Sequence, residues 1–470
     1  NPRNRIDMPM IGRHTRSHHH TLHRPGTGRR LLALILTGLA LYAAPHRQAW
    51  AVPTIQHWHT GNGVRVLFVE THELPMVDIK VVFDAGSARD GGKAGLARLT
   101  STLLNEGAGD LSVDQIARRF EGVGAQYSVS SQRDYATVGL RSLTDPHLLN
   151  PAVETLATVL HEPTFPAVAF DRERKRMLVD LQQQQESLQD IAERRFYAAL
   201  YGDHPYATPP SGTKDALQTL SRDDVVGFYR QYYVAANALV VIVGDLDRGK
   251  ATHLADAVVG KLPEGGAPAP IPKAEDLSSS DTVRVDHPST QTHVMSGQVG
   301  ITHADKDYFP LYVGNHILGG NGLVSRLSEE IREKRGLSYY AFSYFEPMRA
   351  RGPFVMGLQT RNNQVESAVD VMNKTLAGFV AHGPTAKELK ESKQNITGGF
   401  PLRIDSNGKI AGYLTFIGFY GLPLDYLNTF NKHVQQVTLA QIRHAFQHHV
   451  HPDKRLTVIV GGGAKPAAAP

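Results

Sequence analysis

A unit that occurs twice constrains this chain more than any other feature. Leu220-Ser221 opens a segment running through Tyr233 to Leu239-Val240-Val241-Ile242-Val243-Gly244. Val437-Thr438, 217 residues later, opens a second, running through Val450 to Leu456-Thr457-Val458-Ile459-Val460-Gly461. Each copy begins with a hydroxyl residue suited to cap a helix, continues as an amphipathic helix, and turns into a buried apolar strand. Likeness along the strands without a gap points to duplication rather than chance. Between the copies run Pro263-Glu264-Gly265-Gly266-Ala267-Pro268-Ala269-Pro270-Ile271-Pro272 and Ser278-Ser279-Ser280. That composition is expected to form a semi-rigid linker, residues 263–281, between domains at 52–262 and 282–463. The Ala/Pro-rich tail, 464–470, is expected to be disordered.

Each half mixes two periodicities. Strand alternation is expected over 64–69, 77–83, 126–131 and 136–142 in the first half, and over 292–301, 337–345 and 352–359 in the second. Helical spacing is expected over 95–105, from Ser112, and over 151–160, then over 308–318, 325–334 and much of 365–429. The pattern predicts an α+β fold of two duplicated domains, each a largely antiparallel sheet with helices packed on one face.

The formal charge of +5 misleads if taken whole. Residues 1–51 hold eight arginines, no lysine and one acid, Asp7, a net of +7, so the other 419 residues sum to −2. Nucleic-acid binding therefore has no footing in the body of the chain. The basic segment precedes an apolar run, Leu31 to Ala44, and then Ala49-Trp50-Ala51. This order reads as a signal peptide with a long basic n-region, cleaved after Ala51, which implies a periplasmic protein. Fourteen residues are short for a membrane span, which needs about 20, so no stable anchor is expected after cleavage. With no cysteine in the chain, disulfides, thiolate metal sites, thiol nucleophiles and a lipid-modified cysteine are all excluded.

Common catalytic patterns are missing. His72-Glu73 and His161-Glu162 lack the second histidine of His-Glu-x-x-His, and no Gly-x-Ser-x-Gly elbow occurs. Asp90-Gly91-Gly92-Lys93 resembles a phosphate loop only superficially, because Ala94 stands where a hydroxyl must hold magnesium. His444, His448 and His451 have helical spacing, but their counterparts in the first copy are Gly227, Gln231 and Val234. Histidines in a last helical turn also suit the helix dipole without any metal.

Two stretches carry more information: Gly95-Leu96-Ala97-Arg98-Leu99-Thr100-Ser101-Thr102-Leu103-Leu104-Asn105-Glu106-Gly107, and Leu318-Gly319-Gly320-Asn321-Gly322 with Ser325-Arg326-Leu327 and Arg332-Glu333-Lys334-Arg335-Gly336-Leu337-Ser338-Tyr339. Phe83-Asp84-Ala85-Gly86-Ser87, His204-Pro205-Tyr206 with Gly212, and Val243-Gly244-Asp245 fall in order around them. Together these resemble the insulinase/pitrilysin zinc metallopeptidases, in their mitochondrial processing peptidase-like branch, over nearly all of residues 55–462. The resemblance implies that the first helix should carry His-x-x-Glu-His, two imidazoles for zinc and a glutamate to activate water. Here those places hold Arg98, Ser101 and Thr102, and the place of the third ligand falls near Asp180. No metal or other cofactor is therefore expected in this chain.

The family's second-half pair, an arginine and a tyrosine seven residues apart, matches Arg332 and Tyr339. A permanent cation and a phenol donor suit a carbonyl oxygen that becomes negative in a transition state. Alternation places Tyr339 on one strand face with Ala341 and Ser343, opposite Tyr340, Phe342 and Tyr344. The resemblance implies a non-catalytic subunit that lends Arg332 and Tyr339 to a zinc-bearing homologous partner, as a heterodimer acting on peptides or unfolded polypeptides. The alternative is a structural or peptide-binding module of the same fold with no role in catalysis.

Overall fold

The computed structural model describes residues 53–463; the leader expected over 1–51 and the tail expected over 464–470 lie outside the described residues. The first half forms a six-stranded sheet from β1 (Gln56–His59), β2 (Arg65–Glu70), β3 (Met76–Phe83), β4 (Gln126–Ser131), β5 (Ala136–Leu143) and β6 (Ala238–Gly244), in the order β1-β2-β6-β3-β5-β4. The second forms a five-stranded sheet from β7 (Asp281–Val285), β8 (Gln291–Val299), β9 (Ser338–Phe345), β10 (Pro353–Arg361) and β11 (Leu456–Val460), in the order β7-β11-β8-β10-β9.

The two orders superpose strand for strand once β1 is set aside. In both sheets the strand of the repeated unit is inserted centrally. β6 runs parallel to β2 and antiparallel to β3, and β11 runs parallel to β7 and antiparallel to β8. The helices ahead of these strands, Arg222–Tyr232 and Leu439–His449, begin with the same device. Ser221 and Thr438 each accept the N3 backbone N–H while the N3 side chain, Asp224 or Gln441, bonds back to the cap. Repeat and topology thus agree.

Central strands are buried on both faces, which is why β6 reads as the unbroken run Leu239-Val240-Val241-Ile242-Val243. On one face Val66, Phe68, Val240 and Ile242 meet the first half's own helices. On the other, Leu67, Val69, Leu239, Val241 and Val243 meet Ile410, Ala411, Leu414 and Ile417 of helix Asn407–Tyr420, which belongs to the second half. The reverse also holds. Helix Leu188–Tyr201 of the first half lays Phe196, Tyr197 and Leu200 on Met295, Val299, Val355, Val458 and Val460 of the second sheet. The halves exchange equivalent helices. Two glycines make the close approach possible: a Cβ on Gly297 would lie 2.8 Å from Phe196 Cζ, and one on Gly418 would lie 2.5 Å from Leu239 Cδ2.

One polar knot in the seam centres on a buried carboxylate. Asp134, in the β4–β5 turn, accepts hydrogen bonds from Tyr206 (2.6 Å), Tyr420 (2.9 Å) and the Arg349 backbone N–H (2.8 Å). The Pro-rich connection lies against the protein surface; Arg89 donates to Ala269 O, and Arg351 donates to Ala274 O and Asp276. Among the described residues no helix is long and apolar enough to cross a membrane.

Candidate functional site

Helix Leu96–Leu103, where the resemblance places a metal motif, is anchored from its N-terminus. Asp90, 2% exposed, accepts the backbone N–H groups of Gly95 and Ala97 at 2.8 Å each. Burial pushes its carboxyl up to about 7, and these two bonds hold it down. Gly95 (φ +97°) opens the helix and abuts Gly212 (φ +83°); a Cβ on Gly212 would lie 2.8 Å from Ala94 O. Neither position tolerates a side chain, which gives these two motif glycines a physical role.

Leu96, Ala97, Leu99 and Leu103 turn into the core. The face that would carry ligands carries other bonds. Arg98 Nη2 donates to Asp180 Oδ2 at 3.2 Å, so the helix position and the would-be third ligand are brought together as an ion pair. Ser101, buried, donates to Ala97 O and shares a 2.9 Å hydrogen bond with Tyr233 Oη. Thr102 is half-buried. The set does not fit zinc: it offers no imidazole, and a guanidinium sits on the one carboxylate.

Arg332 and Tyr339 are also brought together. The Arg332 guanidinium carbon lies 5.0 Å from the Tyr339 ring centroid, within cation–π range, and Nε lies 3.4 Å from Glu333 Oε1. Arg332 does not sit on a regular α-helix. Ser328–Glu333 is a wide turn of π type, which recurs at functional positions.

The expected face of Tyr339 needs correction. β9 slips register against β10 between Ser338 and Ala341, an extra residue that breaks simple alternation. Ser338, not Tyr339, is buried in phase with Ala341 and Ser343, while Tyr340, Phe342 and Tyr344 stack in a ladder on the other side. Tyr339 sits on the bulge, 81% exposed, with its phenol presented to solvent beside Arg332.

Of the histidines considered from sequence, His444 and His448 stack on the exposed helix face at 6.2 Å between centroids. Sequence reasoning missed their neighbour. His449 Nε2 lies 3.0 Å from Asp307 Oδ2 and 3.6 Å from Asp305 Oδ1, the one group of three metal-competent side chains found among the described residues. Asp-x-Asp was visible in the chain, but nothing in the pattern tied it to residue 449.

Residues 65–214 match the family model described as insulinase (peptidase family M16), and residues 219–396 match the model of the peptidase M16 inactive domain. A solved structure of the peptidase M16 inactive domain from Pseudomonas fluorescens is 38% identical; the alignment covers 88% of this chain and 99% of that one, with a TM-score of 0.84. The Helicobacter pylori protein named non-peptidase homolog YmxG is 28% identical over 86% of this chain and 93% of its own length. The mitochondrial-processing peptidase subunit beta of Blastocladiella emersonii is 23% identical over 77% and 78%. Repeated sheets, glycine-bounded first helix and the matches over both halves lead to one assignment: the chain belongs to the insulinase (M16) family of peptidases.

Proposed function

We propose that this chain is the metal-free subunit of a periplasmic, two-subunit zinc endopeptidase. It pairs with a homologous zinc-bearing subunit and contributes substrate binding together with Arg332 and Tyr339. The observation that carries the reading is a contrast between the halves. In the first, the metal-motif face is refitted with the Arg98–Asp180 ion pair; in the second, an arginine and an exposed tyrosine remain in contact on an irregular turn and a bulge.

The chemistry follows from those two side chains. The Arg332 cation is restrained on one side by Glu333 and on the other by the Tyr339 ring, which lowers the entropy of aiming it. A guanidinium and a phenol O–H then both donate to the scissile carbonyl oxygen as it gains negative charge. The partner supplies the metal and the attacking water. An extended substrate has an available edge in β4, which pairs on one side only, with β5.

The test uses the assembled pair. Arg332→Lys keeps the charge and loses the planar fork of donors; Tyr339→Phe removes one hydroxyl at an exposed position. Each should lower kcat by roughly 10²–10³ with assembly intact, as shown by co-purification with the zinc-bearing subunit. Unchanged turnover in an intact, metal-loaded complex would refute the catalytic role and leave the structural, peptide-binding reading in its place.

A further inference from the structure

A recess of about 280 Å³ opens where the refitted helix meets the end of β4, lined by Arg98, Ser131, Arg133, Asp190, Glu193 and Arg194 among others. Three guanidiniums thus face two carboxylates in the wall, and Arg98 is paired behind it with a third, Asp180. Each guanidinium carries five N–H donors. Among the described residues each gives one hydrogen bond: Arg98 to Asp180, Arg133 Nε to Tyr206 O at 3.2 Å, and Arg194 Nη2 to Gln184 at 2.9 Å. Both carboxylates already have contacts of their own.

The arginines are also held in place. Arg133 sits over the Tyr197 ring, with its guanidinium carbon 3.4 Å from the centroid. Arg194 is half-buried, and desolvation is the main influence pulling its pKa down, ahead of the opposing pull of Asp190. A cation that loses hydration without full compensation favours an incoming anion.

We infer that this recess accepts a peptide carboxylate, so that the chain selects acidic peptides. This rests on the reading above that an extended peptide lies along β4, whose last residue, Ser131, lines the recess. A strand added at that edge runs its backbone past the three guanidiniums. A glutamate or aspartate side chain, or the α-carboxylate of the peptide's last residue, reaches them with paired N–H···O bonds.

Fluorescence anisotropy on the full chain tests this with four labelled peptides of one extended sequence. One carries a central Glu and an amidated end, a second Gln and an amidated end, a third Gln and a free end, and a fourth Lys and an amidated end. The Glu peptide, the free-ended peptide or both should bind roughly tenfold tighter than the amidated Gln peptide, and which does so identifies the source of the carboxylate. The advantage should shrink as salt rises from about 50 to 500 mM. In Arg98→Gln and Arg194→Gln chains with native circular dichroism, the preference should fall to about one. Equal binding of all four peptides, preference for Lys, or a preference that survives both substitutions would overturn the inference while leaving peptide binding in place. Failure of every peptide to bind would overturn the peptide-binding reading itself, and this inference with it.

Discussion

Removing the acceptor at the seam should cost stability in a way that depends on what replaces it. Asp134 is 3% exposed and accepts from two phenols and one backbone N–H, drawn from both halves of the chain. Asp134→Ala takes the acceptor from the buried Tyr206 hydroxyl and from the partly buried Tyr420 hydroxyl and Arg349 N–H, and a donor left so costs ~1–3 kcal/mol when buried. With partial relaxation, the expected loss is about 3–6 kcal/mol. Asp134→Asn should behave differently. Its amide oxygen can take the place of Oδ2 and accept from Tyr420 and Arg349, so only the Tyr206 hydroxyl must find a new arrangement, at about 1 kcal/mol. Burial raises the Asp134 pKa, so a neutral amide also avoids part of the cost of a buried charge. The two variants should therefore differ by at least ~2 kcal/mol in urea unfolding followed by circular dichroism and tyrosine fluorescence. Trypsin cleavage within 263–280 gives a second readout, because a loosened seam exposes the connection between the halves. Asp134→Ala within about 1 kcal/mol of the parent would refute the reasoning. An Asn variant as damaged as Ala would show that charge against Arg349, not the number of acceptor bonds, holds the seam.

Three further outcomes are expected. Elemental analysis of protein never exposed to chelator should find no stoichiometric zinc, because Arg98, Ser101 and Thr102 replace the needed ligands; one tightly held zinc per chain would contradict this. N-terminal sequencing of periplasmic material should begin near Val52, whereas membrane-bound protein retaining Leu31 would contradict export with cleavage. Burial pulls His293 and His303 down to about 4 from an ordinary 6.5. The unfolded chain takes up those protons first, so their contribution is complete above about 6.5 and is lost as pH falls toward 4. Asp90 and Asp134, whose pKa values are raised, act in the opposite direction, so the comparison has to be made variant against parent. His303→Phe should gain on the parent by up to about 1.4 kcal/mol per pH unit below 6.5, and a pH-independent difference would sink the assignment.

The sheets were legible because their strands obey simple rules. β4 occupies the expected 126–131, and the repeated strands announce burial on both faces by lacking any alternation. The exchange of helices was not legible. An apolar stripe on Leu188–Tyr201 states that the helix is covered, and nothing in it states that the cover is the other half's sheet. Tyr339 shows a second limit. Counting by twos is sound until one residue is inserted, and the slip between Ser338 and Ala341 changes the environment of the residue of most interest. Arg98 and Asp180 were each found as departures from a motif; that they bond to each other across 82 residues is a property of the fold.

The refitted helix explains how a chain of this family can lose its metal motif and keep its shape. Half of helix Leu96–Leu103 is core, and the Asp90 cap and the Gly95–Gly212 contact hold it in place without any ligand. A polar helix face that holds no ligand set must be satisfied in some other way. Arg98 turns the remaining carboxylate into an ion-pair partner, and Ser101 is tied to Tyr233 at the end of the neighbouring helix. Neither arrangement leaves a ligand set for a cation on this face. Imidazoles placed at 98 and 102 would remove the ion pair together with Arg98 and leave the Asp180 carboxylate without that partner. In the second half Tyr339 sits on a bulge, exposed, beside the Arg332 guanidinium. A polar face closed by an ion pair in one half, beside an exposed tyrosine against a guanidinium in the other, is the contrast on which the proposed composite site rests.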